Sequence, residues 1–208
     1  MDIFTFTLGP LGNNTYLLAD RQSGLAAVVD PSFDPQPAID TASAKNLRIC
    51  AVWLTHAHFD HIAGCLDIIH AYNPPVSLAL HAADLPLWQE KGRARMFGFQ
   101  LGDLPTPTTL LEHGQILQLG STALEVRHTP GHCPGHVVFY SSADEAVICG
   151  DLIFQRSVGR TDLPGGSSKQ LAESIRAQIY TLPRQVRLLP GHGPETSVGE
   201  EIDGNPYV

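Results

Sequence analysis

Six histidines, His56, His58, His61, His132, His136 and His192, stand in or beside turn sequences rich in Gly, Pro or Asp, and their spacing suits metal ligands. The densest group is His56-x-His58-x-Asp60-His61, three imidazoles and one carboxylate within six residues. Nitrogen and oxygen donors gathered at a strand-to-helix turn can point into one small volume, as coordination of a divalent cation requires. Taken alone, the segment also fits a surface cluster of histidines. Four neighbouring residues cannot fill two metal shells, so ligands are required downstream. Thr129-Pro130-Gly131-His132, Gly150-Asp151 and Pro190-Gly191-His192-Gly193 offer them, each just after a predicted strand. Their glycines let the backbone turn sharply near a shared centre. Singly, His132 and His192 would be ordinary turn residues and Asp151 a solvated strand-end acid. The repeated context makes all three ligand candidates. His136 begins a strand and reads as a packed or hydrogen-bonded histidine rather than a ligand.

The elements that must position these residues follow from hydrophobic patterning. Ile3 to Leu8, Thr15 to Leu18 and Leu25 to Val29 predict a three-stranded meander. A helix is expected near 35–45 with Pro at its start, then a buried strand over 47–54 that runs into the histidine motif. Apolar spacing over 60–72 predicts a helix, 76–80 a strand and 82–90 a short helix. The Gly-, Arg- and Pro-rich stretch 91–108 reads as a flexible surface loop and a candidate lid. Further strands are expected at 115–119, 124–128, 136–140, 146–149 and 186–189. Ser167, Ser168 and Gln170 form a capping signature for a helix over 169–180. Strands followed by helices in both halves imply sheets covered by helices, and no linker divides residues 1–208, so one domain is expected.

Composition narrows the classes. The chain has 208 residues, 43% hydrophobic and 16% charged, as in ordinary globular proteins. A net charge of −8 argues against binding to nucleic acid or to anionic lipid. Apolar runs are far shorter than a membrane span needs, and the acidic start Met1-Asp2-Ile3 is unlike a signal peptide, so a cytoplasmic location is expected. Four scattered cysteines without a CxxC pair predict free thiols, mostly buried, rather than a thiol-zinc knuckle. Cys133, beside His132, is read as a small buried hydrophobe. Oligomeric state is not legible.

The segments THAHFDH, TPGHCPGH, GD and PGHGP resemble the metallo-β-lactamase superfamily, and within it the short glyoxalase II-like, or hydroxyacylglutathione hydrolase-like, subgroup. The resemblance implies an α/β fold, an αββα four-layer sandwich of two mixed sheets flanked by helices, with the metal site at the edge between the sheets. It implies that His56, His58 and His132 bind one metal, that Asp60, His61 and His192 bind another, and that Asp151 bridges them. Asp30 matches a strand-end aspartate that the family keeps near the site, and is expected to support a liganding histidine. Two divalent ions, zinc in the first place and iron or manganese otherwise, would lower the pKa of a bridging water so that hydroxide attacks an acyl carbon beside Asp60 and Asp151.

The fold hosts many reactions, so the substrate needs separate argument. Asp151 stands where many β-lactamases of the superfamily carry a cysteine, which makes antibiotic hydrolysis a minor reading. Only 16 residues follow His192. The helical substrate domain of long glyoxalase II enzymes is therefore not expected, and glutathione as the carrier is left open. Arg160 within Gly159-Arg160-Thr161-Asp162 is a candidate for holding a substrate carboxylate, although an ion pair with Asp162 competes. Lys91, Arg93 and Arg95 fit a solvated loop better than a substrate contact. The leading reading is hydrolysis of a thioester such as S-lactoyl-glutathione by a dinuclear site. The sequence, including its Gly159-Arg160-Thr161-Asp162 segment, also resembles persulfide dioxygenases, and that resemblance implies the alternative of one iron on His56, His132 and Asp151. Phosphodiesterase activity and a purely structural metal module are weaker readings.

Overall fold

The computed structural model describes residues 1–72 and 76–208. Strands β1 (Asp2–Leu8), β2 (Asn13–Asp20) and β3 (Leu25–Val29) form the expected antiparallel meander. Strands β4 (Arg48–Trp53), β5 (Ser77–His81) and β6 (Thr109–Leu111) extend it in parallel to a six-stranded sheet. The second sheet begins with β7 (Ile116–Leu119), β8 (Thr122–His128), β9 (Val137–Ser141) and β10 (Ala146–Gly150). After a small hairpin of β11 (Ile153–Phe154) and β12 (Ser157–Val158), it is completed by β13 (Arg187–Pro190) and β14 (Thr196–Ser197). Its order is β14-β13-β10-β9-β8-β7, with β13 parallel to β10. The short strands β6 and β14 escaped the sequence reading because two or three residues show no alternation.

Period-two alternation sends apolar side chains into three layers. From β2, Tyr16 and Leu18 enter the layer between the sheets, where Trp53 of one sheet meets Phe139 of the other at 6.0 Å. Leu17 and Ala19 point the other way, into a layer with Ala42 of α1 (Gln36–Ala44), Ile62 of α2 (Phe59–Ile62), Ile68 of α3 (Cys65–His70) and Leu87 of α4 (Leu85–Gln89). On the far side, Val138, Val147 and Leu188 pack against Leu171 and Ile175 of α5 (Ser168–Gln178) and Val198 of α6 (Val198–Gly204). The result is the expected αββα order. Ser167 caps α5 by accepting from Gln170 N at 3.3 Å, a contact that contributes about 1 kcal/mol. Among the described residues, no helix is long and apolar enough to cross a membrane.

Two expectations need correction. The helix expected over 60–72 is two short helices, α2 and α3, broken at Ala63 and Gly64. Gly64 N donates to Pro31 O at 2.9 Å, and a Cβ at Gly64 would run into Ser32 O, so the chain bends around the end of β3. The stretch 91–108 is not a free loop. Residues Lys91–Phe97 form 3₁₀ turns, Phe97 and Phe99 stack on Phe59 with centroids 5.0 and 5.2 Å away, and Lys91 pairs with Asp103 at 2.7 Å.

One contact ties the two sheets at their far end. The Asp20 carboxylate at the end of β2 accepts from Ser121 N at 2.7 Å and Ser121 Oγ at 3.1 Å in the β7–β8 turn. The Ser121 amide is the main reason its pKa falls to about 2. A folded-state pKa below the unfolded one adds stability that is complete above pH 4 and lost as pH falls toward 2. In urea unfolding, Asp20→Asn should therefore be less stable than the wild type at pH 7, with the gap narrowing between pH 5 and 3. A gap that stays constant over this range would contradict the assignment.

Candidate metal centre

Four strand ends deliver the residues. His56 and His58 follow β4, and Asp60 and His61 ride on α2; His132 lies in the loop after β8, Asp151 follows β10 and His192 follows β13. All seven are brought together. His58 Nδ1 lies 2.8 Å from His132 Nε2, which is 3.3 Å from His56 Nε2 and 3.7 Å from Asp151 Oδ2. Beside this set, Asp60 Oδ2 is 3.1 Å from His192 Nε2 and 3.7 Å from His61 Nε2. Asp151 Oδ1 lies 3.3 Å from His61 Nε2 and 3.8 Å from His192 Nε2. One Asp151 oxygen thus lies toward His132 and the other toward His61 and His192. Close approach at Gly191 makes room, since a Cβ there would run into Asp151 Oδ1 and stand 2.8 Å from His61 Cε1.

The hydrogen bonds behind the rings decide which nitrogens carry lone pairs. His132 Nδ1 donates to Arg160 O at 2.8 Å and His192 Nδ1 to Leu11 O at 3.2 Å. His61 Nδ1 donates to Asp30 Oδ2 at 2.9 Å. Thr55 Oγ1 gives its proton to Asp30 Oδ2 at 2.6 Å, so it accepts from His56 Nδ1 at 3.0 Å. With Nδ1 protonated in these four rings, their Nε2 lone pairs turn inward. His61 Nε2 and Asp151 Oδ1 are buried with no hydrogen-bond partner among the described residues. Buried acceptors facing acceptors are costly unless a positive charge sits between them. The donor set therefore fits divalent cations, with nitrogen and carboxylate ligands suited to zinc or iron.

The electrostatics agree. Burial and then the His61 and His132 imidazoles push His56 far below its ordinary pKa, and burial with His132 takes His58 to about 3. Both rings are neutral donors. At His61 burial also opposes charge, but Asp151, Asp60 and Asp30 outweigh it and raise the pKa; at His192, Asp60 does the same. The second set thus draws positive charge toward its centre.

Asp30 lies against Thr55 and His61, with a left-handed φ of 50° that turns its carboxylate back toward them. His136 is not among the converging side chains. It donates from Nδ1 to Thr129 Oγ1 at 2.9 Å and accepts at Nε2 from Asp151 N at 3.1 Å, which orients the loop carrying Asp151. Sequence reasoning missed Thr55 and the Arg160 carbonyl, whose roles depend on where loops cross. The Arg160 guanidinium forks onto Asp162 at 2.7 Å through both nitrogens, the competing possibility raised above. Cys133 is buried, and burial with the nearby Asp84 keeps its thiol protonated. The cysteines are free, three of them buried.

Over the cluster opens a cavity of about 430 Å³. His58, Asp60, His132, Asp151 and His192 form its floor, and Leu11, Phe59, Phe97, Phe154, Val158 and Leu163 its walls. Arg160 is its one cationic lining side chain among the described residues.

The profile of the metallo-β-lactamase superfamily matches residues 8–192. The chain belongs to this superfamily. Two relatives span it almost end to end. The probable metallo-hydrolase YqgX of Bacillus subtilis is 36% identical over 205 residues, 97% of this chain and 94% of the relative. The hydroxyacylglutathione hydrolase GloC of Haemophilus influenzae is 29% identical over 210 residues, all of this chain and 98% of the relative. Two solved structures share the architecture. BLEG-1, a B3 metallo-β-lactamase, has 34% identity and a TM-score of 0.91, covering 99% of both chains. TTHA1623, solved in a di-iron-bound form, has 38% identity and a TM-score of 0.89, covering 99% of this chain and 100% of the other. Within this superfamily of metal-binding proteins, the two ligand sets make separate demands on single residues. If both sets bind, metal analysis of His192→Ala should find one ion fewer per chain than in the wild type, and Asp151→Ala should weaken both. Two ions retained by His192→Ala would contradict the second set.

Proposed function

We propose that this protein is a dinuclear metal-dependent hydrolase of acyl-thioesters, converting S-lactoyl-glutathione or a related acyl-thiol to a hydroxy acid and a thiol. The observation that carries this reading is the Asp151 carboxylate, whose Oδ1 lies 3.3 Å from His61 Nε2 and whose Oδ2 lies 3.7 Å from His132 Nε2 at the floor of a largely apolar cavity. The end-to-end likeness to a hydroxyacylglutathione hydrolase supports the substrate class. His56, His58 and His132 would hold one cation, Asp60, His61 and His192 the other, and Asp151 both. Two divalent ions there would polarise the acyl oxygen and bring the pKa of water near neutrality.

The chain's own residues do the rest. Phe59, Phe97 and Phe154 wall the cavity and shed water around the reacting carbonyl, which strengthens electrostatic contacts at the floor. Asp60 and Asp151 are the proposed catalytic carboxylates, which line the cavity floor and would accept hydrogen bonds from the attacking water and orient it. Water oxygen bonds to the acyl carbon, the C–S bond breaks with its electron pair on sulfur, and the proton ends on the thiolate. A thiol, with pKa about 8.5, leaves readily without a dedicated acid. Arg160 would meet a substrate carboxylate by exchanging it for Asp162, an inexpensive step for an exposed pair.

Zinc is the proposed metal, and the second ligand set favours two ions over one. Metal quantitation on the purified protein, followed by a panel of acyl-thioesters with thiol release as the readout, tests the reading. Two ions per chain and thioester turnover are expected. His56→Ala should lower turnover by more than about 100-fold, beyond the loss typical of an outer partner, with an unchanged circular dichroism spectrum. One iron per chain with oxygen uptake on a persulfide, or turnover of β-lactams but of no thioester, would overturn it.

A further inference from the structure

We propose that Asp84 is a positioning residue that sets the spacing of the His56, His58 and His132 set by clamping together the two loops that carry it. The inference rests on the metal-ligand reading above and adds a residue that no motif suggested.

Asp84 ends the short 3₁₀ turn Ala82–Asp84 and is fully buried. Its carboxylate makes no ion pair among the described residues. Instead Oδ2 accepts from Ala57 N at 2.9 Å and Cys133 Sγ at 3.1 Å, and Oδ1 accepts from Gly135 N at 2.6 Å. Ala57 lies between His56 and His58, whereas Cys133 and Gly135 follow His132 by one and three residues. The fit is tight, since a Cβ on Gly135 would stand 2.7 Å from Asp84 Cβ and Cγ. Burying a carboxyl group here is costly, and an apolar side chain would fill the space more cheaply.

The clamp answers a need of the first ligand set. Where the two loops meet, His58 Nδ1 and His132 Nε2 face each other at 2.8 Å. As ligands to one cation both nitrogens would be unprotonated and no hydrogen bond would join the rings, so the two loops would need another tie. Asp84 holds the backbones on either side of that contact, as Asp30 holds His61 in the second set. Asparagine cannot substitute. Its amide has one acceptor oxygen, and its NH₂ would face either the Ala57 or the Gly135 N–H, donor against donor.

The test compares wild type, Asp84→Asn and Cys133→Ala, each loaded with zinc, by chelator competition that resolves two dissociation steps. Asp84→Asn should weaken one step by about 10- to 100-fold, the range for residues that orient metal ligands, and leave the other within about twofold. Cys133→Ala, which removes only the longest contact, should leave both within about twofold. Equal weakening of both steps, or an Asp84→Asn protein that loses thermal stability while both steps are unchanged, would overturn the proposal and reduce Asp84 to a structural role. Should Asp84→Asn not fold, amide exchange in the zinc-loaded wild type decides. Ala57 and Gly135 N–H protected like strand amides support the clamp, and exchange at the rate of exposed amides overturns it. Wild-type protein that binds no zinc would instead sink the metal-ligand reading, while the exchange result would still report on the loop contact.

Discussion

Ring nitrogens with their lone pairs turned inward cannot share a buried volume with carboxylate oxygens unless positive charge lies between them. Four rings have their outer nitrogens committed as donors, to Arg160 O, Leu11 O, Asp30 and Thr55, which in the neutral imidazole leaves each inner nitrogen its lone pair. Orphaned His61 Nε2 and Asp151 Oδ1 state the same requirement from the second set. The protein answers it in advance through the backbone and buried carboxylates around the site, so that the donors are aligned by contacts outside the ligand sphere.

The sheets exist, for this purpose, to bring chain ends to one place. β4, β8, β10 and β13 belong to two different sheets, and each is followed by at least one of the converging side chains. What keeps the sheets in register is the apolar layer between them, with Tyr16, Trp53, Leu124, Phe139 and Ile148 buried in it. A ligand set drawn from several strand ends inherits the rigidity of that layer, whereas donors on one loop would move with the loop. Tyr16 joins the two tasks, packing in the interior while its hydroxyl donates to Pro190 O at 2.7 Å, two residues before His192.

Much of this was legible in the sequence because the ligand types are concentrated and each follows an apolar run. His56, His58, Asp60 and His61 announce themselves by spacing, and His132, Asp151 and His192 by their recurring glycine turns. The meander, the long strands and the Ser167 cap followed from local rules that hold in the fold. The misses have a common cause, which is tertiary contact. The break at Gly64 is set by the carbonyls of Pro31 and Ser32, and the ordering of 91–108 by stacking on Phe59. Asp84 is a plain acidic residue in a helical turn until Ala57 and Gly135 are seen to donate to it.

X-ray absorption or anomalous diffraction on protein loaded with zinc would test the central claim most directly. The account predicts two ions about 3.5 to 4 Å apart, one on His56, His58 and His132, the other on Asp60, His61 and His192, with Asp151 reaching both. A single ion, or a pair bound away from Asp151, would contradict it.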